Sequence, residues 1–207
     1  MTNFKDMITE SNNCFNVSDE FKHLSFEEIQ KHVSENELNF SIACLSITGD
    51  LNIGVIIRSA HLLGTNNVHI FGRRRYDKRS TVGTQNYTSI LRHGGLNDDL
   101  TIDKNLFVSK MNEYNLVPIF VETNGETLGK FSWNDKVSTI FSKNKKPCLI
   151  FGNEGMGIDN SILETEKEFS GSFCVQIPQL GCIRSFNVSS AASIIMWDLL
   201  QNCDFIK

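Results

Sequence analysis

The sequence predicts an α/β protein with a parallel sheet and helices on both of its faces. Three observations carry that prediction. From residue 41 onward, short apolar runs alternate with stretches of helical spacing, the pattern of repeated strand–helix units. The runs are nearly continuous in Val, Ile, Leu and Phe, as expected of strands covered on both faces. Two of them end in Gly- or Asn-bearing loops that open helices, the junctions where α/β proteins hold ligands.

The elements follow in order. Residues 1–40 are polar and acidic, with weak helical spacing at Phe21, Leu24, Ile29 and Val33. Ser25 and Glu28 there have the Ser-x-x-Glu pattern that closes a helix N-terminus, so one short helix is expected. Residues 41–48 read as a strand. Residues 52–63 read as a helix capped by Asn52, with Val55, Ile56, Ala60 and Leu63 on one face. A short buried strand is expected at 68–71, then a long loop-like stretch over 72–100. A helix over 103–114 and a strand over 116–122 come next, and after a variable connection a strand at 148–151. A helix at 159–167, a strand at 173–177 and a last helix at 187–202 complete the chain. The organisation is an acidic extension, 1–40, and one domain, 41–207.

At 207 residues, 40% hydrophobic and 21% charged, the chain can bury a core without staples. No apolar run reaches the roughly 20 residues of a membrane helix, and no apolar leader follows Met1, so a cytoplasmic protein without membrane association is expected. The six cysteines form no Cys-x-x-Cys pair and no zinc ligand set with histidine, which leaves reduced core thiols and no metal. Net charge is −4, but unevenly spread. Residues 1–40 carry three Lys against eight Asp or Glu, and the rest carries 17 basic and 16 acidic groups. The acidity belongs to the extension and does not exclude a nucleic-acid partner, because affinity follows local phosphate neutralisation.

Three segments carry candidate chemistry. The first is Asn52-Ile-Gly-Val-Ile-Ile-Arg58, where a cation interrupts an apolar helix. Taken alone, Arg58 would be a surface arginine at a helix edge. The second is Leu149-Ile-Phe-Gly-Asn-Glu-Gly-Met-Gly157, a strand that runs into three glycines and a carboxylate, Glu154. Its bland reading is a tight strand–helix turn. The third runs from Ile177-Pro-Gln-Leu through Arg184-Ser-Phe-Asn187 to Ala192, with Ser185 and Asn187 opening the last helix. A basic run, Arg73-Arg-Arg-Tyr-Asp-Lys-Arg79, follows the 68–71 strand; Arg73, Arg74, Arg75, Lys78 and Arg79 could neutralise phosphates and Tyr76 could stack on a base. Neither a nicotinamide-type Gly-x-Gly-x-x-Gly nor a phosphate loop is present.

In this order, over residues 41–202, the three segments resemble the motif set of the SpoU/TrmH family of trefoil-knot (SPOUT) RNA ribose 2′-O-methyltransferases. The resemblance implies a C-terminal knot, a rare exception to the rule against threaded chains. It also implies a homodimer, S-adenosyl-L-methionine as cofactor and RNA as partner, with tRNA favoured over rRNA. Arg58 matches the catalytic arginine at the target ribose, and Asn52 the residue that orients it. Glu154, Ser185 and Asn187 match the family's remaining polar site residues. Cofactor contacts are expected from Val121, Glu122, Gly152, Ile177, Leu180 and Phe186, the last in place of the usual Leu. The proton of the 2′-hydroxyl would leave either to Arg58 or to a phosphate or water that Arg58 holds, and the sequence leaves both open. Arg184, in an Ile-Arg-Ser run, resembles the eukaryotic tRNA guanosine-18 branch, so D-loop guanosine is the favoured target. A ribosomal RNA enzyme of the same family and a non-catalytic knotted RNA binder are the alternatives.

Overall fold

The computed structural model describes residues 16–72, 75–99 and 101–206. Helix α1 (Phe26–Glu35) begins at Ser25, whose hydroxyl accepts from Glu28 N–H at 3.2 Å while the Glu28 carboxylate accepts from Ser25 N–H at 2.7 Å. That is the reciprocal cap the Ser-x-x-Glu spacing predicts. The helix docks on the domain through buried Ile29, a Phe26–Tyr87 ring contact and a bond from Gln30 to the Asn86 carbonyl.

The domain alternates strand and helix: β1 (Ser41–Leu45), α2 (Asp50–Leu62), β2 (Asn67–Phe71), α3 (Lys78–Thr81), β3 (Ser89–Gly94), α4 (Lys104–Glu113), β4 (Leu116–Thr127), α5 (Trp133–Phe141), β5 (Lys146–Phe151), α6 (Asn160–Leu163), β6 (Phe173–Gln176) and α7 (Val188–Asn202). All pairings in the six-stranded sheet are parallel, in the order β3-β2-β1-β5-β4-β6. Every residue of β1 is buried, so both of its faces are covered. Helix α7 packs against α2 and α5, and α4 packs against α6. The core runs through Ile42, Cys44, Ile56, Phe120, Ile150 and Ile195. The predicted sheet with helices on both faces is therefore the observed one.

Several details differ from the sequence reading. Residues 72–100 contain an edge strand, β3, whose half-exposed residues hide the apolar pattern. The connection before β5 contains α5, whose Trp133, Val137 and Ile140 are buried at helical spacing behind a Ser132 cap. Strand β4 runs on to Thr127, with a register shift between Val121 and Glu126 where it pairs β6. Helix α2 starts two residues earlier than expected, so Gly49 is its cap and Asn52 lies in its first turn. Its buried face is Ile53, Ile56, Ile57 and Ala60, while Val55 points outward. Asn187 caps α7 as expected, accepting from Ser189 N–H at 3.0 Å and Ser190 N–H at 3.3 Å.

Candidate functional site

The ends of β4, β5 and β6 open into a cavity of about 320 Å³, within the usual range for small-molecule sites. Val121, Glu122, Phe151, Gly152, Ile177 and Phe186 line it, together with Glu154, Arg184 and Ser185. Five of the six expected cofactor residues thus line one cavity. The exception is Leu180. It is fully exposed and outside the lining, because the loop after β6 turns it to solvent.

The loop after β5 is held by its own backbone. Asn153 and Gly157 exchange both backbone bonds at 2.9 Å, and Asn153 Oδ1 accepts from Gly155 and Met156 N–H, an Asx turn. A Cβ on Gly152 would stand 2.3 Å from the Gly157 carbonyl carbon, so this glycine is required by the loop closing on itself. Gly157 has φ +73° and lies against the Glu122 carboxylate, which also accepts from Ile158 N–H at 2.6 Å.

Glu154 ties this loop to α2. One carboxylate oxygen accepts from Gly49 N–H and Asn52 Nδ2, each at 2.8 Å; the other accepts from Thr48 N–H at 2.8 Å and the Thr48 hydroxyl at 2.7 Å. Burial alone would raise this carboxyl. The bonds from Thr48, Asn52 and Gly49 outweigh it and hold the group at about 2. Glu154 is thus an anion at the N-terminus of α2, where the helix dipole also favours it. Its lone pairs are committed, so it positions neighbours rather than accepting protons. Asn52 Oδ1 in turn accepts from Asn187 Nδ2 at 3.1 Å. The three sequence segments, far apart in the chain, meet in this one relay. Thr48 and Asn153 are members that sequence reasoning missed; the Asn in a Gly-rich turn was the readable signal for Asn153, and nothing local marked Thr48.

Arg58 is not brought to the cavity. It projects from α2 into solvent and has no hydrogen bond or ion pair among the described residues. Ser185 is exposed at the cavity rim.

In the basic run, Arg73 and Arg74 lie outside the described residues. Arg75 and Lys78 are exposed, with no ion pair among the described residues. Arg79 pairs with Asp77 through Nε and Nη2 at 3.0 and 2.6 Å while its side chain stays exposed. Tyr76 is half-buried against the core with the Arg92 guanidinium 5.2 Å from its ring centre, so that face is already stacked. Burial lifts the Cys44 thiol to about 12 and that of Cys148 well above its ordinary value, which leaves them as inert core groups. Among the described residues no three of His, Cys, Asp or Glu are grouped as metal ligands, and no helix is long and apolar enough to cross a membrane.

Comparison with known proteins places these features. Residues 39–197 match the model of the SpoU rRNA Methylase family. An uncharacterized tRNA/rRNA methyltransferase of Borreliella burgdorferi is 25% identical over 186 residues, 87% of this chain and 72% of that protein. The tRNA (guanosine(18)-2′-O)-methyltransferase of the same organism is 24% identical over 155 residues, 72% of this chain and 61% of that one. Among solved structures, the SpoU methyltransferase AviRb from Streptomyces viridochromogenes, in complex with AdoMet, has a similar fold. The TM-score is 0.56 at 20% identity, over 80% of this chain and 58% of that one. The chain therefore spans about three fifths of the latter two proteins.

Proposed function

The chain belongs to the SpoU rRNA Methylase family, and on that premise we propose that it transfers a methyl group from S-adenosyl-L-methionine to a ribose 2′-hydroxyl of RNA, with tRNA favoured over rRNA and a D-loop guanosine as target. The observation that carries the reading is the relay Glu154–Asn52–Asn187 at the mouth of the 320 Å³ cavity. It joins all three family motifs around one small-molecule site. The relative named for guanosine-18 of tRNA supports the choice of RNA.

The cavity suits the cofactor. Phe151, Ile177, Phe186 and Val188 offer apolar walls, and Arg184 and Glu122 give it a cationic and an anionic group. When bound, the cofactor supplies an electrophilic methyl on a sulfonium. Ser185 and the Asn52 relay border the place where the ribose oxygen must arrive, and line-up there replaces a strong base as the main source of rate. Arg58 holds the RNA phosphate and the ribose oxygen while the 2′-hydroxyl proton passes to that phosphate or to water. No metal ion takes part.

Arg58 reaches this chemistry in a homodimer. Leu51, Val55, Arg58 and Leu62 recur at i, i+4, i+7 and i+11, so they form one outward stripe of α2. The three apolar members are exposed, at 60%, 37% and 69%, and on the neighbouring α7 Ile194 and Trp197 are exposed too. Ile195, between them, is buried. Such a patch is the kind that a second copy covers. It brings Arg58 toward the partner's cavity. The trefoil knot of the C-terminal segment belongs to the same proposal and is supported by family membership; the chain leaves β6 at the sheet edge and returns to pack α7 on α2.

Mass spectrometry of nucleosides from tRNA and rRNA incubated with the protein and cofactor tests the reading. The expected product is 2′-O-methylguanosine in tRNA, formed equally with chelator present. Absence of any 2′-O-methylated nucleoside would overturn it. Light scattering at micromolar protein should give twice the chain mass, and Trp197→Glu should halve it.

A further inference from the structure

A second cavity, about 850 Å³, opens at the ends of β1 and β5 on the other side of the loop that borders the first. We propose that it receives the base of the nucleotide being methylated, and that this base presents N–H donors on its Watson–Crick edge, guanine above all. The inference rests on the methyltransferase reading and adds the site of base selection to it.

Position is the first argument. Asn153, Met156 and Gly157 border both cavities, so the loop after β5 is their common wall. The Glu154–Thr48 contact spans the seam, since Glu154 lines the first cavity and Thr48 the second. A nucleotide whose base enters the second cavity therefore carries its ribose to the seam, beside the Asn52 relay and next to the methyl source.

The second argument is chemical. Leu45, Leu96 and Ile102 supply apolar wall for a flat ring. Among the described residues the charged groups on the lining are Asp50, Asp99 and Asp159 against Arg75, which favours a neutral ligand rich in N–H donors. Asp99 and Asp159 are already engaged, accepting from Thr101 and from Ile102 N–H. Asp50 has no side-chain partner among the described residues. One carboxylate can accept from guanine N1–H and N2–H₂ together, which neither uracil nor cytosine offers. Ser46, with its φ of +48°, adds a buried hydroxyl oxygen on the lining without a hydrogen-bond partner among the described residues. A buried polar atom left unpaired is uncommon and is satisfied by what enters.

The test uses the full-length protein, a tRNA substrate, and the same tRNA with inosine for guanosine at the methylated position. Leu96→Trp fills the cavity from a half-buried position. It should lower turnover at least about a hundredfold while cofactor affinity by calorimetry stays within about twofold. Asp50→Asn leaves the shape intact, so it guards against misfolding. The native protein should prefer guanosine to inosine by at least about tenfold, the effect of losing one hydrogen bond to a carboxylate, and Asp50→Asn should erase that preference. Native turnover in Leu96→Trp, or an unchanged guanosine preference in Asp50→Asn, overturns the pocket while the methyltransferase reading stands. A product confined to 2′-O-methyluridine overturns the donor rule. If the native protein forms no 2′-O-methyl nucleoside at all, the reading beneath the proposal falls, and the proposal with it.

Discussion

Around Glu154 both carboxylate oxygens are taken, by Thr48, Gly49 and Asn52. Asn52 passes the contact on to Asn187, which caps α7. A few turns away on α2, Arg58 stands in solvent without a partner among the described residues, as do Arg75 and Lys78 in the loop after β2. Both regions belong to one proposed site, yet one is fixed by the chain itself and the other waits. Groups that shape a small-molecule cavity must be in place before the ligand arrives, because ordering them later would cost affinity. Groups that meet a large polyanion or a second subunit gain by staying solvated until contact, where they act on long-range encounter.

The contrast breaks most readily at Arg58. Arg58→Ala should cut turnover roughly a thousandfold, as loss of a transition-state contact does. Melting temperature and cofactor affinity should stay as in the native protein, because no folded-state contact is removed. Arg58→Lys should recover little, since the planar fork is lost. Native turnover in Arg58→Ala would demote the residue to a surface arginine.

Glu154→Ala should do the reverse and act on the fold first. Four donors, from Thr48, Gly49 and Asn52, lose their acceptor, so a loss of about 2–4 kcal/mol is expected in urea unfolding, with weaker cofactor binding. The pH dependence has a definite sign. The carboxyl is held at about 2 against an ordinary 4.5, so its stabilisation is complete above pH 4.5 and disappears as pH falls toward 2. Glu154→Gln should remove that acid dependence.

At the other end of the sheet, a histidine pair gives the contrast a different acid edge. His69 and His93 approach to 2.9 Å between β2 and β3, with Tyr114 against both rings. Burial, then the neighbouring His93, pushes His69 down to about 4. The unfolded chain then binds a proton that the folded one refuses between pH 6.5 and 4, so stability falls over that window, by about 2–3 kcal/mol. Urea midpoints at pH 7, 5.5 and 4 should follow this slope in the native protein and flatten in His69→Leu.

The smallest effect is expected in the basic loop. Replacing Arg75 and Lys78 together with Ala should lower the slope of log affinity against log salt by about 2. Arg79→Ala should change it by less than one, because Asp77 already neutralises that guanidinium. An equal effect from Arg79 would mean that the clamp opens on RNA.

The sequence made legible what is local or periodic. Five strands, the Ser25 cap and the Asn187 cap are written in consecutive residues, and they were found where spacing put them. Strand β3 was not legible, because an edge strand is covered on fewer sides and Ser89, Arg92 and His93 break its apolar run. Helix α5 carried a usable signal in Trp133, Val137 and Ile140 that the polar residues around it obscured. In the site, residues that share a motif were readable as a set, but the partners that complete them were not. Nothing near Tyr76 in the chain announces Arg92, and nothing near residue 48 announces Glu154, because those pairings exist only once β1, β2, β3 and β5 are side by side.

The central strand also sets a timetable. β1 takes β2 on one side, about 25 residues downstream, but its other neighbour is β5, where Ser41 pairs Cys148. During synthesis at about 5–20 residues per second, the second edge of β1 stays without its ladder for roughly 4–16 s after the first has closed. For that interval the largely apolar β1, Ser41 to Leu45, presents free backbone donors and acceptors to the cell, the condition under which strands join the wrong chain. A ribosome pause before residue 146 would lengthen the exposure, and one after residue 151 would not.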